Sequence, residues 1–412
     1  MKKIIFSFLF CSLFVFVSAQ DKGMHFEHNT SWEKVLAKAK AENKYIFVDC
    51  FTTWCGPCKA MSKNIFPQQV VGDFYNKNFI NIKIQLDTTK NDDEEVKSWF
   101  AAGQAIATKY EVRAYPTYLM FDPNGQIVHR AVGSSDAPAF IAKGEDAINP
   151  EKQYYTLKRQ YEAGKKGEAF LYKLSMVAAD AYDMQFAKTV SKEYLATQKD
   201  FYTKENLEML KNFTKTSKDE GFNIMLTNSK KVDAVLGEGV ADKIVEQIIL
   251  YEEVYPLLFK TKETKPDWVA LQNSLTSKYP QQANKVLLLS KITYAQQIGN
   301  WKEFGPAVVA YMKAYGADAS PDQMNTYAWT IFEKCEDMAC VESALEWSKK
   351  SFASNNNHMY VDTYANLLYK SGKQKEAIEW ETKAKDLATK AGDDVTDYNT
   401  ALEKMKKGEK TW

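Results

Sequence analysis

A short β-branched run, Tyr45-Ile46-Phe47-Val48-Asp49-Cys50, passes through Phe51, Thr52 and Thr53 into Trp54-Cys55-Gly56-Pro57-Cys58, and Lys59 to Asn64 continues with helical character. A buried strand that delivers two cysteines to the first turn of a helix leaves few folds open. It also points to a chemistry. A thiol at a helix start meets the positive end of the dipole and unpaired N–H groups, both of which favour its thiolate. With two residues between them, the second thiol can reach the first, so an intermolecular mixed disulfide can be resolved by an internal attack. Other uses of a CxxC pair fit less well. A four-thiolate zinc site would need Cys335 and Cys340 as its other half, and a c-type haem needs His after the second cysteine, where Lys59 stands. No metal and no cofactor beyond a redox-active Cys55–Cys58 disulfide is expected.

Neighbouring residues extend the pattern. Asp49 sits on the strand before the dithiol, where burial would raise its carboxyl pKa and make it a usable proton acceptor. Cys50 points to the opposite strand face by simple alternation, which predicts a packed, inert thiol. Lys83 lies in the apolar stretch Phe79 to Leu86. Further on come Val112-Arg113-Ala114-Tyr115-Pro116-Thr117, a strand from Tyr118 to Phe121, the turn Asp122-Pro123-Asn124-Gly125, a strand from Gln126 to Ala131, and Gly133.

Together, residues 30–147 resemble thioredoxin, whose active-site motif is WCGPCK. The resemblance implies an α/β thioredoxin fold, a central mixed sheet flanked by helices, over residues 20–148. It implies that Cys55 attacks, Cys58 resolves and Asp49 moves the proton, with Lys83 facing that acid and Trp54, Gly56 and Pro57 supporting the dithiol. Tyr115 and Pro116, joined by a cis bond, would present a client-binding edge with Thr117 and Gly133. Cys55 is then the solvent-accessible nucleophile, with a pKa lowered to about 7. Two departures matter. The lead-in Ser31 to Ala41 and the segments Asn64-Ile65-Phe66 and Phe74 to Phe79 look more like the exported thioredoxin-like domains of transmembrane thiol-reductant proteins, which are mostly reducing. The span from Asp87 to Pro116 is longer than a minimal thioredoxin uses, with an acidic run Asp92 to Glu95 and a helix-like stretch Val96 to Ile106, and it should border the active-site face.

After Pro150 the strand signals stop. Residues 151–412 read as amphipathic helices, an all-α domain. Thr-Tyr-Ala recurs at 293–295, 326–328 and 363–365, with small residues at Ala307, Ala314, Ala377 and Ala384 that would let paired helices approach. Residues 290–392 are the clearest part, and Tyr364 to Ala384, with Gly372 at its turn, resembles a tetratricopeptide repeat. The middle unit has an enlarged turn holding Cys335 and Cys340, which reads as a structural disulfide closing that turn.

Lys2 and Lys3 precede an apolar run from Ile4 to Val17 that ends at Ser18 and Ala19. Residues 1–19 therefore read as a secretory signal peptide, with Gln20 the new N-terminus; an uncleaved anchor, or a lipoprotein through Cys11, fits the run less well. Beyond it no apolar run approaches bilayer length, so no membrane span is expected after cleavage. Export to an oxidising compartment, the periplasm of a Gram-negative cell or the outside, lets disulfides persist. With 54 Lys+Arg against 53 Asp+Glu, the chain has no basic footprint for nucleic acid. The expected partners are client proteins with disulfides and a thiol electron donor. Two functions remain: a protein disulfide reductase, isomerase or oxidase, or a helical interaction protein whose first domain mainly binds.

Overall fold

A computed structural model describes residues 22–258, 266–354 and 356–412. The leader expected at 1–19, with Gln20, lies outside the described residues. Among those described, no helix is long and apolar enough to cross a membrane.

The first part runs α1 (Trp32–Glu42), β1 (Tyr45–Phe51), α2 (Gly56–Ala60), α3 (Gln69–Asn78), β2 (Phe79–Gln85), α4 (Glu94–Lys109), β3 (Thr117–Phe121), β4 (Ile127–Val132) and α5 (Ala137–Ile148). The sheet order is β2-β1-β3-β4. β1 pairs parallel with β2, which needs the intervening helices as a crossover, while β3 lies antiparallel to both β1 and β4. This is the mixed sheet of a thioredoxin fold. Alternation along β1 separates two cores. Phe47 packs with Tyr75, Tyr118 and Phe140 on one face, and Val48 and Cys50 pack with Ile82, Ile84 and Trp99 on the other. Asp122 fixes the β3–β4 turn by accepting from the N–H groups of Asn124 and Gln126 at 2.9 and 2.8 Å.

All remaining described elements are helical. The chain forms two compact units, dividing after Phe201 rather than near residue 150 where the strand signals end. The physical reason is that α6 (Tyr154–Glu162) is latched to β4. Its first N–H, on Tyr154, donates to His129 Nδ1 at 3.1 Å, and Arg159 donates to the Ile127 carbonyl at 3.1 Å. α7 (Glu168–Asp180) and α8 (Met184–Leu195) complete that unit.

In the second unit the three Thr-Tyr-Ala copies fall on the first helices of three hairpins. These pair Ala283–Gln297 with Trp301–Tyr315, Pro321–Lys334 with Met338–Ser351, and His358–Lys370 with Gln374–Ala391. Asn300, Ser320, Asp337 and Asn357 open helices by accepting an N–H one turn in, as N-cap residues do. Ala295, Ala328, Ala365, Ala377 and Ala384 are buried where the helices meet. Ala314 differs from its counterpart Ala384: it is exposed, so it plays no part in that approach.

The turn between the second pair also departs from expectation. Cys335 and Cys340 are free thiols, not a disulfide. Cys335 ends its helix in extended conformation and its Sγ donates to the Trp301 carbonyl at 3.7 Å, whereas Cys340, in the first turn of the next helix, donates to Asp337 Oδ2 at 3.6 Å. Each thiol thus has its own acceptor. Both sulfurs rest on Gly305, where a Cβ would stand 2.9 Å from Cys340 Sγ and 3.1 Å from Cys335 Sγ.

Candidate active site

β1 ends at Phe51, and the chain turns through Thr52 and Thr53 before α2 begins. Cys55 is the N-cap of α2 and its Sγ accepts the Cys58 N–H at 3.1 Å. Pro57 suits the first helical turn, where its missing N–H has no intrahelical partner to lose. Past Ala60 the helix widens into a π turn over Met61–Ile65. Cys55 and Cys58 are joined as a disulfide. Both are nearly covered, at 3% and 4% exposure. The expectation of an openly exposed Cys55 therefore does not hold for this oxidised form. What separates the two sulfurs is the N-cap position, where a Cys55 thiolate would keep the Cys58 N–H as a donor.

Asp49 lies on β1 and is linked through Lys83 to the helical turn that follows the dithiol. Strand register sets it opposite Lys83, whose Nζ is 3.4 Å from its Oδ2. The same ammonium donates to Ser62 Oγ at 2.6 Å, in the helix that follows the dithiol, and sits about 5 Å from the rings of Phe26, Phe51 and Phe66. Asp49 is 2% exposed and its Oδ1 has no partner among the described residues. Burial raises its carboxyl pKa, with Lys83 opposing. Such a group takes up a proton more readily than an exposed carboxylate. Cys50, on the other strand face, is fully buried and packed as expected, and burial pushes its thiol far up, which disfavours a thiolate there.

The Tyr115-Pro116 bond is cis. The Tyr115 ring meets the Trp54 ring edge to face at 5.7 Å, and Trp54, which adjoins Cys55, is 69% exposed. Thr117 pairs with Cys50 in register, and the Gly133 N–H donates to the Pro116 carbonyl at 2.9 Å. Gly133 takes a φ of +87°, in the region that favours glycine. Gly56 and Pro57 are exposed on the rim.

One contact escaped the sequence reading. Asp87 accepts from the Thr53 N–H at 2.9 Å and also from the Thr53 hydroxyl. Parallel register carries the signal, because Phe51 pairs with Gln85 and the same step along both strands brings Thr53 to Asp87. The long span Asp87 to Pro116 is thus tied to the dithiol loop at both ends, by Asp87 to Thr53 and by Tyr115 to Trp54. Its acidic run begins α4, with Asp93 accepting the Val96 N–H at 2.8 Å.

No group of three or more His, Cys, Asp or Glu able to hold a metal occurs among the described residues.

Part of the chain is similar to known proteins. Residues 32–148 match the family model for a thioredoxin-like domain. The chain is 32% identical over 98 residues to a thioredoxin-like protein of Synechocystis, covering 24% of this chain and 76% of that protein. It is 29% identical over 119 residues to the thiol:disulfide interchange protein DsbD of Pseudoalteromonas atlantica, covering 28% of this chain and only 18% of the relative. Among solved structures, a candidate disulphide-isomerase from Bacteroides thetaiotaomicron shares 37% identity, covers 32% of this chain and 98% of its own, and gives a TM-score of 0.26. The chain spans 18% to 61% of the length of several of the curated relatives it matches. On the matched residues and the geometry that they build around Cys55 and Cys58, this chain belongs to the thioredoxin-like family.

Proposed function

We propose that the chain is an exported thiol–disulfide oxidoreductase that reduces disulfides in client proteins, with its helical region, similar to tetratricopeptide repeats, holding the client. The observation that carries this reading is the Cys55–Cys58 disulfide at a helix start with the buried Asp49 tied through Lys83 to Ser62 in the helical turn that follows it. In the reduced form the Cys55 thiolate attacks one sulfur of a client disulfide. That S–S bond breaks, and its electron pair leaves on the second client sulfur, which takes a proton from solvent. Cys58 then passes its thiol proton to Asp49 and attacks the Cys55 sulfur. The mixed disulfide breaks, the first client sulfur leaves with the electron pair and is protonated, and the Cys55–Cys58 bond re-forms. Two electrons have moved to the client, so an external thiol donor must reduce the protein for the next cycle.

The exposed Trp54 and the half-buried Tyr115 against it offer the surface beside the dithiol on which a client chain would lie, with Pro116 buried behind them. Gly-Pro between the cysteines resembles the reducing members of the family and supports the reductase direction over isomerase or oxidase. Lys2, Lys3 and the apolar run after them support export, to the periplasm in a Gram-negative cell. The test is insulin reduction by dithiothreitol: catalysis by the wild type and none by Cys55→Ser is the expected result. A wild type no faster than the uncatalysed reaction would favour the second reading, a helical interaction protein, which rests on the size of the helical region. Cys58→Ser should accumulate a mixed disulfide that identifies the client.

A further inference from the structure

The edge of the first unit carries a second, unassigned feature. Arg130 projects from β4 toward the end of α4 and is 6% exposed. Its Nη1 donates to the Tyr110 carbonyl at 2.9 Å and its Nη2 to the Glu111 carbonyl at 3.3 Å, and it is hydrogen-bonded to Tyr155. Its Nε is buried with no partner among the described residues. Those carbonyls close the C-terminal end of α4, where a cation is favourable. Carbonyls and a hydroxyl nevertheless leave the charge itself unmatched, because no described carboxylate pairs with this guanidinium. Burial of a charge without a counter-charge is costly.

Arg130 lines a cleft of about 840 Å³ between the end of α4, β4, α6 and the α7–α8 turn. Lys109, Arg113 and Lys158 add three further cations, against Glu111 and Asp183. Neither carboxylate is free. Glu111 holds Arg113 at 3.2 Å, and Asp183 accepts from Lys158 at 3.0 Å and from the Tyr154 hydroxyl at 2.5 Å. Lys109 and Arg130 thus keep unbalanced charge. Tyr110, Tyr154 and Tyr155 give the same cleft flat aromatic sides. On its rim Tyr182 stands 55% exposed at a φ of +63°, a left-handed conformation that is unfavourable for a tyrosine.

We infer that this cleft is an anion-binding site that takes an oxyanion, a phosphate or a carboxylate, on a ligand whose flat or apolar body rests on the tyrosines. The oxyanion supplies the counter-charge that Arg130 and Lys109 lack, and charge-assisted hydrogen bonds to a guanidinium suit its geometry. Free small anions and acidic peptide side chains present the same group.

The test is titration calorimetry of the full chain in low salt with three probes: inorganic phosphate, phenyl phosphate and a short glutamate-rich peptide. Saturable one-to-one binding of at least one probe is expected, weakened tenfold or more by Lys109→Gln and by added salt, with phenyl phosphate tighter than phosphate. Binding of the peptide alone identifies a peptide carboxylate as the source, and binding of the phosphates alone a small anion. Arg130→Lys keeps the charge and loses the fork, so it should weaken binding; if it fails to fold, Lys109→Gln with Lys158→Gln takes its place. No saturable binding by any probe overturns the inference. So does an affinity that Lys109→Gln leaves unchanged, since the anion would then sit elsewhere.

Discussion

The two cysteine pairs present the same element in opposite settings. Cys55 and Cys58 lie within one helix start, so both sulfurs are held by a single turn and meet as a disulfide. Cys335 and Cys340 straddle a break between two helices, one ending the first and one inside the first turn of the next. The first pair has an N–H donor aimed at sulfur. The second has oxygen acceptors, a carbonyl and a carboxylate, and although the Gly305 N–H and the Lys370 ammonium favour a Cys335 thiolate, burial outweighs them and keeps both thiols protonated. Proximity of two thiols is therefore not enough for redox chemistry; the charge state imposed by the surroundings separates a reactive pair from a packed one.

The largest expected effect tests that division directly. Cys55→Ser should bring insulin reduction to the uncatalysed rate, whereas Cys335→Ala combined with Cys340→Ala should leave it within about twofold, as neither thiol is activated. If the double alanine variant abolishes turnover, electrons pass through the helical region and the comparison breaks.

The next effect sharpens the account of the reactive side. Removing a positioned proton acceptor costs typically about 10²-fold or more in rate, so Asp49→Asn should slow resolution of the mixed disulfide by that order, measured by stopped flow. The linkage has a definite sign. Burial raises the Asp49 carboxyl, so its contribution to stability is complete below the ordinary carboxyl value of about 3.9 and is lost as pH rises through the higher folded value. Melting temperature followed against pH should show Asp49→Asn gaining on the wild type toward neutral pH. An equal pH dependence in both proteins would mean that Asp49 is not raised.

Much of this was legible in the residues, and for particular reasons. WCGPC is local in sequence, so Cys55 and Cys58 could be placed without knowing the fold. The packing of Cys50 followed from strand alternation, and the role of Asp49 and the cis bond at Pro116 from the resemblance. The contact of Asp87 with Thr53 needs the register of two strands far apart in sequence, which no local pattern gives. Arg130 reads as one more residue of an edge strand, because nothing in its neighbours announces that a guanidinium will be buried without a carboxylate. The state of Cys335 and Cys340 depends on which acceptors their side chains meet, and spacing is silent on that.

On the packed side, Gly305 offers the next test. An alanine there would set a Cβ against both sulfurs at 2.9 and 3.1 Å, in a part of the core where Cys335, Cys340 and Val341 are buried. Overpacking of this kind costs about 1–3 kcal/mol. Gly305→Ala should lower the unfolding free energy of the helical unit by that amount, read from denaturant melts, and leave insulin reduction intact. Adding Cys340→Ala should restore part of the loss, with a coupling of about 1 kcal/mol in a double-mutant cycle. Additive effects would show that the sulfurs do not press on Gly305.

The smallest effect is a rate that should barely register. Burial together with Asp337 pushes the Cys340 thiol up to about 11, and burial raises Cys335 as well, with Lys370 opposing. At pH 8 only about one Cys340 in a thousand would then be thiolate, and thiolate is the species that iodoacetamide alkylates. The reduced Cys55, if lowered to about 7, is already mostly thiolate at that pH. Alkylation followed by peptide mass spectrometry should therefore show Cys55 reaching a plateau by about pH 8, while Cys340 labelling keeps climbing about tenfold per pH unit toward its own pKa. Burial slows Cys340 further at every pH, but a constant factor leaves that slope unchanged. A Cys340 rate that levels off near pH 8 would mean that its thiolate is stabilised, and the second pair would then belong with the first as reactive chemistry.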